Sequence, residues 1–191
     1  MPQDCIDPVV ITAHIITALQ QIASGKSDPT IPTVLTFGKI IAEGSTNIIP
    51  NEVRLEGTFR TMNEAWRAEA HHQMKKMAEM MAESMGGSCE FFIKKGYPFL
   101  VNDEAMTHKV RQHAIAYMGE ENVVDLPIRM TAEDFAYYSH EVPGVFYRLG
   151  TGNVAKGITS PVHTNTFNID EDALQLSTGL MAWMAVCELL G

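Results

Sequence analysis

One stretch of the sequence concentrates the residue types that could do chemistry, and residues 158–172 read ITSPVHTNTFNIDED. Its histidine, His163, lies among Ser, Thr, Pro and Asn residues in a loop, just before a helix that Asp170 could cap. The neutral imidazole of histidine is a common ligand for zinc and similar ions. A single histidine in a polar loop is more often a solvated surface residue, so both interpretations remain open on this residue alone.

Two further places carry polar side chains that could contact a ligand. Asn47 lies in a predicted turn, and Arg60 lies on the polar face of the strand that follows. A turn-forming asparagine and a solvated strand arginine are the plain structural interpretations of the two. Glu133 and Asp134 open a short predicted helix, where carboxylates satisfy free N–H groups and interact favourably with the helix dipole.

Composition argues against several classes of function. With 14 Lys and Arg against 23 Asp and Glu, the net charge of −9 disfavours nucleic acid or an anionic membrane as the main partner. No apolar run is expected to approach the ~20 residues of a membrane helix. The three cysteines are far apart and predict reduced thiols of a cytoplasmic protein without a secretory signal. A small-molecule or peptide substrate remains open.

The first half of the chain predicts the order helix, strand, strand, helix, strand. Apolar spacing predicts helices over residues 8–24 and 63–85, and strand-type patterns cover residues 33–42, 53–60 and 89–93. The methionines on one stripe of the second helix are predicted to lie in the core. This order matches a βαββαβ sandwich, two helices on one face of an antiparallel sheet, that lacks its first strand.

The second half alternates helices with short strand-like pieces. A domain boundary is predicted around residues 96–102, where the first α/β unit ends and a new helix begins. Thr131 is predicted to cap a brief helix. The remaining predicted elements are helices over residues 103–119 and 170–190 and strands at residues 123–124, 128–130 and 145–149.

Six segments, in their order and spacing, resemble the C-terminal half of M20 metallopeptidases: DPVVITAHIITALQQI, SDPT, GSTNIIPNEVRLEGTFRT, MTAEDFAYY, PGVFYRLGT and VHTNTFNIDEDAL. They look most similar to the aminoacylase, hippurate hydrolase and indole-acetyl-amino-acid hydrolase branch of amidohydrolases. The resemblance implies an α/β (α+β) chain in two parts. Residues 1–98 would be a ferredoxin-like βαββαβ lid and dimerisation domain without its first strand, and residues 99–191 the C-terminal portion of an α/β zinc-peptidase-like catalytic domain.

The resemblance also implies roles for individual residues. His163 corresponds to the family's last metal ligand, in a site that holds two divalent ions, Zn or Mn, in the complete enzyme. Asn47 and Arg60 match lid positions that hold the substrate's carboxylate or the developing oxyanion, a task that suits the paired donors of a guanidinium. Glu133 and Asp134 match a motif beside the metal pocket that orients the ligands.

By the same resemblance, the other metal ligands and the paired glutamates that supply the general base lie in an N-terminal half without a counterpart here. No catalytic residue is therefore predicted in this chain. We expect the C-terminal portion of a metal-dependent amidohydrolase that cleaves N-acyl amino acids or small peptides and is little active alone. We also expect a homodimer formed through the lid, and completion by an N-terminal catalytic half.

A function of a different class also remains open, namely a non-catalytic dimerisation or interaction module derived from the same family. A lid without its first strand exposes a sheet edge, and another chain could pair with that edge. A ferredoxin-like RNA binder is a third interpretation, which the acidic charge and the lack of strand aromatics disfavour.

Overall fold

The structure is a computed structural model and describes residues 2–190. The chain forms two compact units: the first runs to Leu100 and includes Arg129–Asp134, and the second comprises Val101–Ile128 and the chain from Phe135 onward. The division lies two residues beyond the boundary predicted between residues 98 and 99. A short segment that the sequence pattern assigned to the second part belongs to the first unit. The assignment of the two parts to a lid and a catalytic domain remains a prediction.

Two capped helices of the first unit form where the sequence predicted them. Helix α1 spans Pro8–Gln21 and continues as a π-helical turn, and α2 spans Glu64–Ser84. The Asp7 carboxylate accepts hydrogen bonds from two backbone N–H groups of the first turn of α1, and Asn63 accepts one at the start of α2. Gly86, with φ of 80°, ends α2 because glycine adopts this left-handed conformation without steric cost.

The sheet of the first unit is an antiparallel pair. Strand β1 spans Thr33–Ile41 and β2 spans Arg54–Thr61, both as predicted to within a residue or two. The register shifts between Phe37 and Lys39, so β1 carries a bulge. The hydroxyls of Thr36 and Thr58 face each other across the pair at 3.0 Å.

The core of the first unit lies between α1, α2 and this sheet. Methionines of α2 line it or pack against its margin, which confirms the prediction that they are core residues. Burying a leucine-sized side chain contributes roughly 1.5–3 kcal/mol, so this cluster dominates the stability of the unit. Its buried members are Ile11, Ile15, Leu19, Ile22, Leu35, Ala70, Met74, Ala78 and Ala82.

Arg67 is a buried arginine that the sequence pattern did not single out, and it binds the segment that follows α2. The Arg67 guanidinium pairs with the Glu64 carboxylate one turn earlier and donates a hydrogen bond to the Tyr97 carbonyl oxygen at 2.7 Å. A charge this deep is stable only when it is paired and hydrogen-bonded. Arg67 therefore holds the segment around Tyr97 against α2.

Four predicted strands do not form. Among the described residues the sheet has two strands, and residues 89–93, 123–124, 128–130 and 145–149 belong to neither. The alternation in Cys89–Ile93 nevertheless reflects burial, because Cys89 and Phe91 pack against the core while Phe92 is exposed. Alternation reports which face is buried; a strand also requires a neighbouring backbone to pair with.

The described residues of the second unit form three α-helices: α3 (Glu104–Met118), α4 (Phe135–Glu141) and α5 (Asp172–Leu190). Asp103 caps α3, and Gly119, with φ of 89°, ends it. The indole N–H of Trp183 donates to the His113 carbonyl oxygen at 3.0 Å, and the His113 ring lies 3.1 Å from a carboxylate oxygen of Glu188. These contacts pair α3 with α5.

Helix α5 corrects one expectation from composition. By length and composition alone, Asp172–Leu190 is long and apolar enough to cross a membrane, so the expectation that no apolar run approaches that length was wrong. The helix is mostly apolar without a distinct polar face, yet among its described residues only Leu180 and Met184 are buried. Such a helix normally lies inside a larger core or a membrane.

Candidate functional site

The predicted metal ligand, His163, lies in a tightly turned and exposed loop of the second unit. Among the described residues, His163 is the one non-glycine residue with a positive φ, which is 66°. Histidine is among the residues that adopt this left-handed conformation more readily than most, although it remains uncommon and is frequent at functional sites. The Thr164 hydroxyl donates to the Pro161 carbonyl oxygen at 2.9 Å, and the Ser160 and Thr166 hydroxyls are 2.9 Å apart. The turns around His163 thus hold its backbone in this conformation.

Four polar side chains form a hydrogen-bonded cluster at the base of this loop, called the clasp below: Asn153, Lys156, Asp170 and Asp172. The Lys156 ammonium contacts Asp170 at 2.7 Å and Asp172 at 2.6 Å, and the Asn153 amide donates to Asp170 at 2.6 Å. The backbones of Asn153 and Ile158 exchange two hydrogen bonds. The hydrogen bond from Lys156 holds the pKa of the Asp170 carboxyl below its usual value, and the same bond raises the pKa of Lys156. The two chain ends of the His163 loop are therefore tied together.

This loop does not supply a metal site by itself. Within residues 2–190, no group of three or more His, Cys, Asp or Glu side chains is placed to hold a metal ion. Zinc and manganese sites in proteins take several such ligands at once. The described residues therefore do not form a complete metal site, and the role of His163 as a metal ligand stays a prediction.

The two predicted substrate contacts, Asn47 and Arg60, lie in the first unit. Asn47 occupies a turn in which Ser45 and Ile48 exchange backbone hydrogen bonds, and its side-chain oxygen accepts from the Ser45 hydroxyl at 3.2 Å. The Arg60 guanidinium, at the end of β2, donates to the Met130 carbonyl oxygen at 2.7 Å. Arg60 therefore positions the segment Arg129–Asp134 as well as presenting an exposed cation.

Glu133 and Asp134 lie in that segment. The predicted helix beginning there is wrong in its start, because α4 begins at Phe135 and neither carboxylate lies within it. Thr131, the predicted cap, lies four residues before the first residue of α4. Both residues belong to the same unit as Arg60, which the sequence pattern did not predict.

The sequence did not predict the ion pair of Lys156 and Asp170 or the cavity of the second unit. Lys156 and Asp170 are 14 positions apart, and no periodic pattern links a loop lysine to a helix-capping aspartate. The described surface also has a shallow cavity in the second unit, lined by residues 101–105 and 139–143, which contains none of the predicted site residues. A signal in the sequence was the opposite charge of Lys156 and of the acidic run at residues 170–172.

A family model for peptidase family M20/M25/M40 matches residues 6–185. The chain belongs to this family. It is 31% identical to thermostable carboxypeptidase 2 of Saccharolobus solfataricus over 97% of this chain and 47% of the relative. It is also 31% identical to IAA-amino acid hydrolase ILR1-like 4 of Arabidopsis thaliana, over 100% of this chain and 44% of that relative.

A solved M20 structure confirms the mixed α/β fold of the chain. A dinuclear metal-binding peptidase of the family from Bacillus subtilis superimposes with a TM-score of 0.74 at 29% identity, over 96% of this chain and 47% of that one. This M20 chain thus spans about half the length of the relatives that it matches. By family it is a hydrolase.

Proposed function

We propose that this chain is the C-terminal portion of a metal-dependent amidohydrolase that hydrolyses the amide bond of N-acyl amino acids or small peptides. One observation carries the proposal: the family match extends from residue 6 to residue 185, while the chain spans about half of its relatives. The portion present here supplies one metal ligand, His163. Another portion of the polypeptide supplies the remaining ligands and the general base.

The surface of the second unit supports this division. Several large apolar side chains of α5 are exposed, among them Leu174, Met181 and Val186, while Leu180 and Met184 are buried. The family match includes most of this helix, which favours a place inside the family's catalytic fold over a place in a membrane. Further polypeptide that covered α5 would remove this apolar surface from water.

The substrate class follows from the chemistry of the exposed cation and from the relatives. A carboxypeptidase and an amino acid conjugate hydrolase both act on an amide whose amino acid side can carry a free carboxylate. A guanidinium such as that of Arg60 binds a carboxylate through two parallel hydrogen bonds. Arg60 and Asn47 would hold the substrate, and Glu133 and Asp134 would orient ligands next to the metal.

A non-catalytic interaction module is the second candidate, favoured by an edge of β2 that has no strand beside it within residues 2–190. It shares with the first candidate a dimer formed through the first unit. Sedimentation at micromolar concentration tests this association. A clean monomer would contradict both the dimer and the interaction module.

Complementation tests the proposed function. The chain is mixed with the part of the Bacillus subtilis peptidase that lies outside the matched half, and hippurate hydrolysis is measured with added Zn or Mn. We expect hydrolysis to appear only in the mixture and to fall at least a hundredfold with His163→Ala. The matched control is His108→Ala, an exposed histidine of α3, which should leave the rate unchanged. Equal rates for both variants would exclude His163 as a ligand.

A further inference from the structure

The segment Arg129–Asp134 belongs to the first unit, although the chain on both sides of it belongs to the second. All six residues are described, and none of them lies in a helix or a strand. The segment carries Glu133 and Asp134, the carboxylates that would orient metal ligands under the proposed function. Whatever holds these six residues to the first unit therefore determines where the two carboxylates lie.

A long-range hydrogen bond from Arg60 holds the segment. The Nη1 atom of Arg60 donates to the Met130 carbonyl oxygen at 2.7 Å, across 70 positions of the chain. Arg60 lies in β2 opposite Val34 of β1, within the regular part of the pair. Because the sheet fixes the backbone of Arg60, the hydrogen bond places the segment relative to the sheet.

The hydrogen bond to Met130 uses one side of the guanidinium. A guanidinium has five N–H donors, and those of Nε and Nη2 on one edge point in parallel. Within residues 2–190, Arg60 makes no other hydrogen bond and no ion pair. The parallel edge matches the two oxygens of a carboxylate, and it can bind them while Nη1 keeps its bond to Met130.

Arg54 on the same strand has a different kind of partner. It lies six residues before Arg60 and so faces the same side of the sheet. Its Nε atom lies 2.9 Å from a carboxylate oxygen of Glu56, so the chain itself compensates its charge. Arg60 instead bonds a neutral carbonyl oxygen and is exposed, so its charge is available to a carboxylate of a ligand.

We propose that Arg60 is a positioning residue that links carboxylate binding to the placement of Glu133 and Asp134. A carboxylate bound to the edge of Nε and Nη2 fixes the plane of the guanidinium, and the bond from Nη1 to Met130 fixes the same plane. Each partner therefore reduces the side-chain entropy that the other must remove, and the two effects are equal in size. The proposal rests on the proposed function only in taking the amino acid end of the substrate as that carboxylate.

Limited trypsin digestion of the complete chain measures how firmly the segment is held. Trypsin cleaves after Arg129, which is exposed and directly precedes Met130, and cleavage after the exposed Lys26 is the internal reference. Because a general loss of stability accelerates both cleavages, the ratio of the two rates reports the segment. We expect Arg60→Met to raise this ratio at least about fivefold, as the loss of one hydrogen bond predicts, and the matched control Arg54→Met to leave it unchanged. Equal ratios for the two variants would overturn the proposal.

The link to carboxylate binding is tested in the same digestion with hippurate, and with hippuramide as a neutral control of the same skeleton. We expect hippurate at tens of millimolar to lower the ratio at least about twofold, and hippuramide to leave it unchanged. Faster cleavage after Arg129 with hippurate would show that a carboxylate displaces the Met130 carbonyl oxygen, and an equal response to both compounds would show that the charge is irrelevant. Either result would overturn the link.

Arg60→Lys separates the two roles of the side chain. Lysine keeps the charge and a donor for the Met130 carbonyl oxygen but lacks the parallel pair of N–H groups. We expect the segment of this variant to be cleaved more slowly than that of Arg60→Met, and to show no response to hippurate. A full response to hippurate in Arg60→Lys would contradict the role of the guanidinium edge.

This test is independent of the test of the proposed function, because the digestion contains neither added metal nor a partner polypeptide. An absent response to hippurate, with hydrolysis in the complemented mixture, would overturn this inference and leave the proposed function in place. A response to hippurate without hydrolysis in the mixture would support this inference and count against the proposed function.

Discussion

The two compact units of the chain bury their apolar side chains to very different degrees. In the first unit, α1 and α2 enclose a continuous core in which Leu19 and Ile22 are fully buried. In the second unit, α3 has no buried residue and α5 has two, although α5 is the more apolar helix. An apolar sequence therefore predicts that a helix will be buried somewhere, without showing that this chain alone buries it.

This difference can be measured separately in each unit, because each contains one tryptophan. Trp66 of α2 donates a hydrogen bond to the Thr33 hydroxyl, and Trp183 of α5 donates one to His113. In Trp183→Phe, the remaining fluorescence reports the first unit, and in Trp66→Phe it reports the second. We expect the second unit to unfold at the lower urea concentration. Coincident transitions would show that the two units are equally well packed.

The largest expected effect is the loss of a core side chain. Leu19 is 1% exposed, and Leu19→Ala should lower the unfolding free energy read by Trp66 by about 2–5 kcal/mol. The matched control is Leu189→Ala in α5, where the leucine is 85% exposed and the expected change is within about 0.5 kcal/mol. Comparable losses in the two variants would mean that Leu189 is buried in solution.

A smaller effect is expected for the buried ion pair. Arg67→Met removes the guanidinium that pairs with Glu64 and donates to the Tyr97 carbonyl oxygen, which should cost about 1–3 kcal/mol in urea unfolding. Lys75→Met removes an exposed pair, 3.8 Å from Glu79, and should cost at most about 0.5 kcal/mol. If Lys75→Met lowered the unfolding free energy as much as Arg67→Met, burial of the guanidinium would not be what stabilises the chain after α2.

The smallest effect is local and depends on pH. The lowered pKa of Asp170 means that its pairing stabilises the His163 loop above the ordinary value of 3.8 and is lost as pH falls through the lowered pKa. The raised pKa of Lys156 means that pairing is complete below 10.5 and is lost as pH rises through the raised pKa. Exchange of the Asn153 and Ile158 amides should be slowest between these limits.

Lys156→Ala should remove this pH dependence and accelerate exchange of the Asn153 and Ile158 amides, without moving the urea transition of either tryptophan. Lys109→Ala, an exposed lysine of α3, is the matched control. Identical exchange profiles in the two variants would show that the clasp does not hold the loop.

The sequence predicted the first unit far better than the second, for physical reasons. Elements α1 and α2 have local signals, namely Asp7 and Asn63 as caps and a regular apolar stripe. The predicted strand at Cys89–Ile93 required a neighbouring backbone, and local pattern cannot show whether one is present. The sequence could not show whether Glu133 and Asp134 lie in the first turn of α4 or just before it, because a carboxylate is favourable in both places. Helix α4 begins after both residues.

The candidate site was predictable to a similar, limited extent. Six segments in their order and spacing, the motif around His163 among them, indicated a family that the comparisons then established. The clasp of Lys156 with Asp170, and the hydrogen bond from Arg60 to Met130, join residues 14 and 70 positions apart. Such contacts follow from how the chain folds back on itself, and no spacing in the sequence encodes them.

Hippurate hydrolysis by the isolated chain, with Zn or Mn added, tests the central claim most directly. The described residues place one candidate ligand, His163, without a cluster of three that could hold a metal ion. We predict no more than trace hydrolysis with either metal, and no change on His163→Ala. Substantial hydrolysis that is lost on His163→Ala would contradict the claim that the chemistry requires a second half of the polypeptide.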